Sequence, residues 1–153
     1  MIFFHQHKTH FFAFLLIFVL TGLTLSCTWK KKQGLPPIEI PKTAAPMTVQ
    51  FSWADIAACT HESPEIQVSG IPAGTVELDV QLRNLTVPAW SHGGGRVLYD
   101  GTDRILAGTL NVGYNGPCPM PGERNKYAFF VMALNLKGEI IGFGKAVQAF
   151  PIK

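Results

Sequence analysis

The pattern that most constrains the fold of this 153-residue chain is the alternation of apolar and polar side chains in TVELDVQL. Val76, Leu78, Val80 and Leu82 fall on one face and polar residues on the other, which is the period of a half-buried β-strand. Further short segments of this kind follow between turn sequences rich in glycine and proline, such as SGIPAGT, YDGTD and LKGE. They are MTVQFSW, EIQVSG, GRVLYDG, RILAGTLNV and VQAFPI. Short strands at this spacing predict an all-β sandwich or barrel.

Two segments depart from simple alternation. YAFFVMAL is continuously apolar, which favours a strand buried on both faces, with a buried helix as the alternative. Only WADIAACT suggests a helical turn. We therefore predict a β domain over residues 47–153 with little helix.

The first 26 residues carry one lysine, Lys8, followed by an apolar run that is interrupted by Thr21 and Gly22. This arrangement is typical of a secretory signal peptide, and a retained transmembrane anchor is the alternative. The last residues, LTLSC, resemble the lipobox of bacterial lipoproteins, in which the cysteine is acylated. The resemblance implies lipidated Cys27 as the mature N-terminus, with simple cleavage as the other possibility. The second residue after Cys27 is Trp29 and not the aspartate that would indicate retention at the inner membrane. By this resemblance we expect the chain at the outer membrane of a bacterial envelope, on its periplasmic side.

Residues 27–46 are basic and then proline-rich, and they lack periodicity, so we predict an extended tether. Lys30, Lys31 and Lys32 would lie beside the anchor and near anionic head groups. The net charge of the whole chain is +3. Four of its 13 Lys and Arg residues precede Gln33, which leaves nine against ten Asp and Glu. The domain is therefore nearly neutral, and nucleic acid is not an expected partner.

Two cysteines remain once Cys27 is assigned to the anchor. In an exported domain, Cys59 and Cys118 predict one disulfide. The alternative is a zinc-type site of these two cysteines with His61 and His92, although their spacing matches no compact zinc motif. We expect no metal and no cofactor.

The segment WSHGGGR allows two interpretations. Its three glycines could present backbone N–H groups to an anion beside His92, or they could form a flexible turn with a surface histidine. Ser91 and His92 are adjacent, so on a strand they would point to opposite faces, which does not suit a nucleophile and its base. The chain also lacks the usual hydrolase, metalloprotease and nucleotide-binding motifs, and we expect no enzyme.

Taken together, these segments resemble the phosphatidylethanolamine-binding protein family, which includes the Raf kinase inhibitor proteins. The family has a G-Y-x-G-P-x-P-P-x-G loop followed by H-R-Y, and this chain has GYNGPCPMPG followed by NKY. Upstream, CTHESPEIQVSGIPAGT resembles the cysteine, Ser-Pro and G-[VI]-P-x-G-T segment of the family. The resemblance spans roughly residues 47–152.

The resemblance implies a Greek-key β-sandwich of antiparallel sheets with a small pocket near one end, which in the family binds anions or phospholipid head groups. In this chain Asn84 and Thr86 replace both aspartates of the D-P-D-x-P segment of the family, Asn125 replaces the second pocket histidine, and Met120 replaces a proline. The ligand-binding residues implied in this way are His92, Gly93, Gly94, Tyr114, Gly116, Pro117, Pro119, Asn84, Thr86 and Asn125.

We expect a lipid-anchored binding module for a small anionic or polar ligand, such as a phosphate or a phospholipid head group. The alternative is an interaction or inhibitor module that has the same fold, a vestigial pocket and an envelope protein as its partner.

Overall fold

A computed structural model of the chain describes residues 34–110 and 112–151. They form seven β-strands, β1 Ala45–Phe51, β2 Ile66–Ser69, β3 Glu77–Asn84, β4 Ser91–Leu98, β5 Arg104–Ile105, β6 Asn125–Leu134 and β7 Ile140–Phe150. This part of the chain contains no helix, so it also has none that could span a membrane, and WADIAACT forms turns. The all-β prediction is confirmed. The predicted signal peptide, Cys27 and the first tether residues lie outside the described residues.

The strands follow the order β4-β3-β6-β7-β1-β2-β5. All neighbours are antiparallel except β1 and β7, which run parallel and correct the expectation of purely antiparallel sheets. The first half of β1, from Ala45 to Met47, pairs with β7, and the second half, from Thr48 to Phe51, pairs with β2. One strand thus belongs to two groups of strands, which lets β2 and β5 fold away from the other four.

These directions place seven strand termini at each end of the structure. At one end, β1, β3, β5 and β7 finish and β2, β4 and β6 begin. We call it the loop end, and define it by the connecting residues 52–65, 85–90 and 112–124. The opposite end is the turn end, defined by residues 70–76, 99–103 and 135–139.

The core confirms the faces predicted from the sequence. Leu78, Val80 and Leu82 are buried, and the polar residues between them are half-buried. Strand β6, which lies between β3 and β7, is buried on both faces over most of its length, as its continuous apolar sequence predicts. The inward aromatic side chains pack around Phe129, and Phe51 meets it edge to face at a centroid distance of 4.9 Å.

Three boundaries differ from the prediction. The segment WSHGGGR is not a loop, because Ser91–Leu98 is strand β4. RILAGTLNV forms a strand only at Arg104–Ile105 and then enters turns. Within VQAFPI, the residues up to Phe150 are the end of strand β7, which already begins at Ile140. The prediction missed the first half of this strand because glycines at positions 142 and 144 obscure its apolar pattern.

Candidate functional site

Four polar side chains meet where the core reaches the loop end. The inward face of β3 finishes at Asn84, whose partner on β6 is Tyr127. Asn125 lies two residues before Tyr127 and therefore on the same face. The His92 ring stands edge-on to Tyr127, with centroids 5.2 Å apart. Asn84, His92 and Asn125 are only 5%, 6% and 5% exposed. We call these four residues the polar cluster.

His92 connects strand β4 to the proline-rich loop of residues 112–124, which we call the proline loop. Its Nδ1 lies 2.9 Å from the Asn115 carbonyl oxygen and 3.1 Å from that of Gly116. Both partners are acceptors, so Nδ1 carries the proton and donates it. The Asn115 amide donates in return to the His92 carbonyl oxygen at 2.8 Å. In the neutral ring, Nε2 is then the atom left to accept a hydrogen bond.

A disulfide between Cys59 and Cys118 fixes the other side of the proline loop, as predicted, with the two Cα atoms 4.5 Å apart. On either side of it, the Cys59 amide donates to the Pro117 carbonyl at 2.8 Å, and the Gly116 amide donates to the Thr60 carbonyl at 2.8 Å. Since both sulfur atoms are bonded to each other, they are not available for the alternative zinc site. Among the described residues, no group of three or more His, Cys, Asp or Glu side chains could hold a metal ion.

The glycines beside His92 permit close backbone packing. A Cβ at Gly93 would lie 1.7 Å from the Gly113 carbonyl oxygen, and one at Gly94 would lie 1.9 Å from that of Val80. Both residues have positive φ, 65° and 151°. Only glycine satisfies such positions. The glycine run therefore brings β4 against the proline loop on one side and β3 on the other, which is neither a flexible turn nor an isolated nest. A role for Gly93 and Gly94 in binding a ligand stays a prediction.

Asn84 and Thr86 close the loop between β3 and β4. The Asn84 Oδ1 atom accepts hydrogen bonds from the Thr86 and Val87 amides, each at 2.9 Å, which is an Asx-type turn. Thr86 Oγ1 accepts from the Lys126 amide at 2.9 Å. Thr86 itself is exposed, and the structure does not bring it into the polar cluster. Two of the predicted ligand-binding residues thus have side-chain oxygens that already accept hydrogen bonds from the backbone.

Tyr114 belongs to the core. It is 1% exposed, and its ring stacks on Phe129 with centroids 6.2 Å apart. Its hydroxyl has no hydrogen-bond partner within the described residues, and burial raises the pKa of Tyr114. Of the remaining predicted site residues, Gly116 and Pro117 are buried in the proline loop, and Pro119 is half-buried beside exposed Met120.

Sequence reasoning did not assign Tyr127 to the site. Burial raises the pKa of Tyr127, although the nearby Asn125 side chain and Cys118 backbone lower it in part. Its hydroxyl also lacks a partner of normal hydrogen-bond geometry in the described part of the chain. The available signal was its position, two residues after Asn125 at the start of an apolar strand.

A cavity of about 440 Å³ away from the polar cluster also went unpredicted. It is an open hollow on β1 and β2, and Phe51, Asp55, Ile56 and Glu65 are among its lining residues. None of the predicted site residues lines it.

Solved structures with this fold come from the same family that the sequence resembles. A phosphatidylethanolamine-binding protein homologue from Chlamydia trachomatis superimposes with a TM-score of 0.54 at 16% identity, covering 73% of this chain and 100% of the other. YbcL of E. coli, a member of the mammalian phosphatidylethanolamine-binding protein family, gives 0.50 at 17% identity, covering 70% of this chain and 99% of YbcL. No protein-family model and no curated protein matches the chain. The chain therefore has the phosphatidylethanolamine-binding protein fold.

Proposed function

We propose that the chain is an envelope member of the phosphatidylethanolamine-binding protein family, anchored to a membrane through acylated Cys27. In this proposal it binds a small anionic or polar ligand, of the phosphate or phospholipid head-group type, at the polar cluster. It is a binding module and not an enzyme, and it resides at the outer membrane facing the periplasm.

The observation that carries the ligand proposal is the way His92 is held. Its Nδ1 is committed to two carbonyl groups of a loop that a disulfide also fixes, so the ring has one orientation. A pre-ordered donor of this kind reduces the entropy cost of binding a small ligand. When the ring is protonated, Nε2–H donates to an anion, and the amides of Asn84 and Asn125 add neutral hydrogen-bonding capacity.

One observation favours the alternative, a protein-interaction module. Asn84 Oδ1 and Thr86 Oγ1 are occupied by backbone amides, and the polar cluster contains no carboxylate. A site of this composition has lost the acceptors that would hold a ligand ammonium or hydroxyl group. On this alternative, the loop end is a docking surface for another protein.

Sulfate binding, followed by NMR at His92 and Asn125, tests the ligand proposal. We expect saturable shifts at both residues, since Nε2–H of the protonated ring donates to the anion. His92→Asn is the matched variant, because its amide nitrogen can replace Nδ1 toward the two carbonyls but supplies no Nε2.

Loss of sulfate binding in a folded His92→Asn protein would support the site. Equal binding by both proteins, or no shifts in the parent at millimolar sulfate, would refute it and favour the interaction module. Mass spectrometry of the membrane-extracted chain tests the anchor separately, since acylation adds its mass at Cys27.

A further inference from the structure

The described part of the chain begins on the loop between β3 and β4. The Leu35 amide donates to the Pro88 carbonyl oxygen at 3.2 Å, and Arg83 Nη1 donates to the Pro36 carbonyl oxygen at 2.6 Å. A Cβ on Gly34 would lie 3.4 Å from Pro88 Cβ, which is van der Waals contact. The chain is therefore not a free spacer at this point, because residues 34–36 are held against Arg83 and Pro88.

Those six residues, LTVPAW, carry no charge and present apolar side chains to solvent. Leu85 and Val87 are exposed, and Trp90 is 66% exposed. An exposed tryptophan is unusual in a chain whose other described tryptophan, Trp53, is 1% exposed. Tryptophan favours the membrane interface, where its ring meets acyl chains and its N–H meets head groups.

Covalent geometry limits how far this loop can lie from the anchor. Cys27 and Gly34 are seven residue steps apart, so the fully extended span between them is at most about 25 Å. The ten residues of β6 rise about 34 Å from the loop end to the turn end. The turn end is therefore farther than the loop end, by about the length of this strand, from the point where residues 34–36 contact the domain. An acyl chain at Cys27 thus holds the loop end close to the membrane.

The charges near the loop are consistent with an anionic surface. Lys30, Lys31 and Lys32 lie between the anchor and the loop in the sequence, and Lys126 pairs its backbone with Thr86 inside the loop. Glu123, which lies close to Tyr127, opposes this attraction. Basic residues beside an acyl anchor strengthen binding to anionic lipids.

We propose that residues 85–90 contact the membrane interface, with Trp90 seated among the head groups, so that the loop end, which carries the polar cluster, faces the lipid surface. The proposal rests on the lipid anchor at Cys27. It commits to a bilayer as the occupant of this apolar surface.

Fluorescence of the full chain on vesicles tests this arrangement. In a Trp29→Phe background, only buried Trp53 and exposed Trp90 remain of the three tryptophans. The chain is attached through Cys27, either by its native acyl groups or by coupling to a maleimide phospholipid, since the other two cysteines form the disulfide. Vesicles contain phosphatidylethanolamine and phosphatidylglycerol, with or without brominated acyl chains.

We expect the Trp90 emission to shift to the blue when the chain is attached to vesicles. On brominated vesicles we expect this emission to be quenched, and Trp90→Phe should show neither effect. The matched control moves the tryptophan to the turn end by combining Trp90→Phe with Leu136→Trp, because Leu136 is 89% exposed there. That emission stays unshifted and unquenched if the loop end faces the bilayer.

Equal quenching at both positions, or an unquenched Trp90 on chains that float with the vesicles, overturns the proposal. The second result would leave the apolar loop as a surface for a protein partner. If the native chain lacks acyl groups, the anchor of the proposed function fails, whereas the maleimide-coupled chain still tests which end meets the membrane. Failure to bind sulfate affects neither reading.

Discussion

The two ends of the sheet are closed in different ways. At the turn end, the side-chain hydrogen bonds are local: Asn135 Oδ1 accepts from the amides of Lys137 and Glu139, and the Thr102 amide donates to Asp100, at separations of two to four residues. At the loop end, residues distant in sequence close the structure. His92 reaches 23 residues to Asn115, His61 reaches 53 residues to Tyr114, and the disulfide joins residues 59 apart.

This difference shows which end of the structure needs the stronger conformational constraints. A local turn fixes few residues and needs little besides the right side chain at one position. Ordering three long segments against one another carries a larger loss of chain entropy, which a covalent bond and a buried histidine offset. The end that carries the candidate site is therefore the end that depends more on side-chain and disulfide contacts between residues distant in sequence.

Removing the disulfide breaks the loop end most severely. We expect Cys59→Ala with Cys118→Ala, in a Cys27→Ser background, to lower the free energy of unfolding by about 4 kcal/mol, because the unfolded chain regains the entropy of the opened loop. Urea denaturation measures the change. Reducing agent should destabilise the parent by a similar amount and leave the double variant unchanged, and a loss below about 1 kcal/mol would contradict the assignment.

Glycine substitutions compare the two ends directly. Gly93→Ala should lower the free energy of unfolding by about 3 kcal/mol or more, since its Cβ would lie 1.7 Å from the Gly113 carbonyl oxygen. Gly138 at the turn end also has positive φ, but a Cβ there meets nothing within 4 Å, so Gly138→Ala should cost only about 1 kcal/mol. Similar urea midpoints for the two variants would argue against close packing of β4 on the proline loop.

Two substitutions of His92 distinguish the stability that comes from its Nδ1 hydrogen bonds from the stability that comes from the rest of the ring. His92→Ala leaves two buried carbonyl groups without their donor and should lower the free energy of unfolding by about 2 kcal/mol. His92→Asn should lose less than half of that, because its amide can donate to the same oxygens. Hydrogen exchange of the Asn115 amide reports the contact, and an unchanged rate in His92→Ala would show that the ring does not hold the loop.

The turn end should respond to the loss of a single side chain without affecting the loop end. Asn135→Ala removes acceptors for two amides and should cost about 1 kcal/mol. The neighbouring Leu136→Ala is the control, since this side chain is exposed and should change stability little. In Asn135→Ala we expect faster hydrogen exchange next to the turn that joins β6 and β7, and an unchanged rate at the Asn115 amide. Faster exchange at both places would mean that the two ends are coupled.

The smallest expected effect concerns Tyr114. Because its pKa is raised by burial, the folded chain keeps the phenol proton at a pH where the unfolded chain loses it. The contribution of Tyr114 to stability should therefore be constant below about pH 10 and fall above it, and Tyr114→Phe should remove this contribution. In the Tyr114→Phe variant, stability should still fall with alkaline pH to a smaller extent, because the pKa of Tyr127 is also raised.

At neutral pH, Tyr114→Phe should change the free energy of unfolding by less than about 1 kcal/mol, because the lost hydroxyl has no hydrogen-bond partner in the described chain. Urea midpoints between about pH 8 and about pH 11 measure both effects. Equal alkaline slopes in parent and variant would contradict the buried position of the phenol.

Much of the fold was predictable because its signals are local. Alternation identified the inward face of β3, continuous apolarity identified central β6, and LKGE identified the hairpin that joins β6 to β7. The prediction failed where a local signal had a distant cause. WSHGGGR has the composition of a loop, yet its glycines are set by the backbone of β3 and of the proline loop.

The candidate site was predicted in part, and for a similar reason. Sequence resemblance selected His92, Asn84 and Asn125, which do meet at the loop end. It also selected Tyr114 and Thr86, but the first is a core residue and the second closes a turn. Residue type and motif position do not specify whether a side chain faces a cleft, the core or its own backbone.

By itself the sequence determined the all-β class, the inward faces of the main strands, the turns of one end and the pairing of Cys59 with Cys118. Periodicity, turn residues and cysteine count act over a few residues or by simple composition, so they can be recognised without a structure. The tertiary structure decided the parallel pairing of β1 with β7, the hydrogen bonds that orient His92, and the contact between the tether and residues 85–90. Each of these depends on residues that only the folded chain brings together.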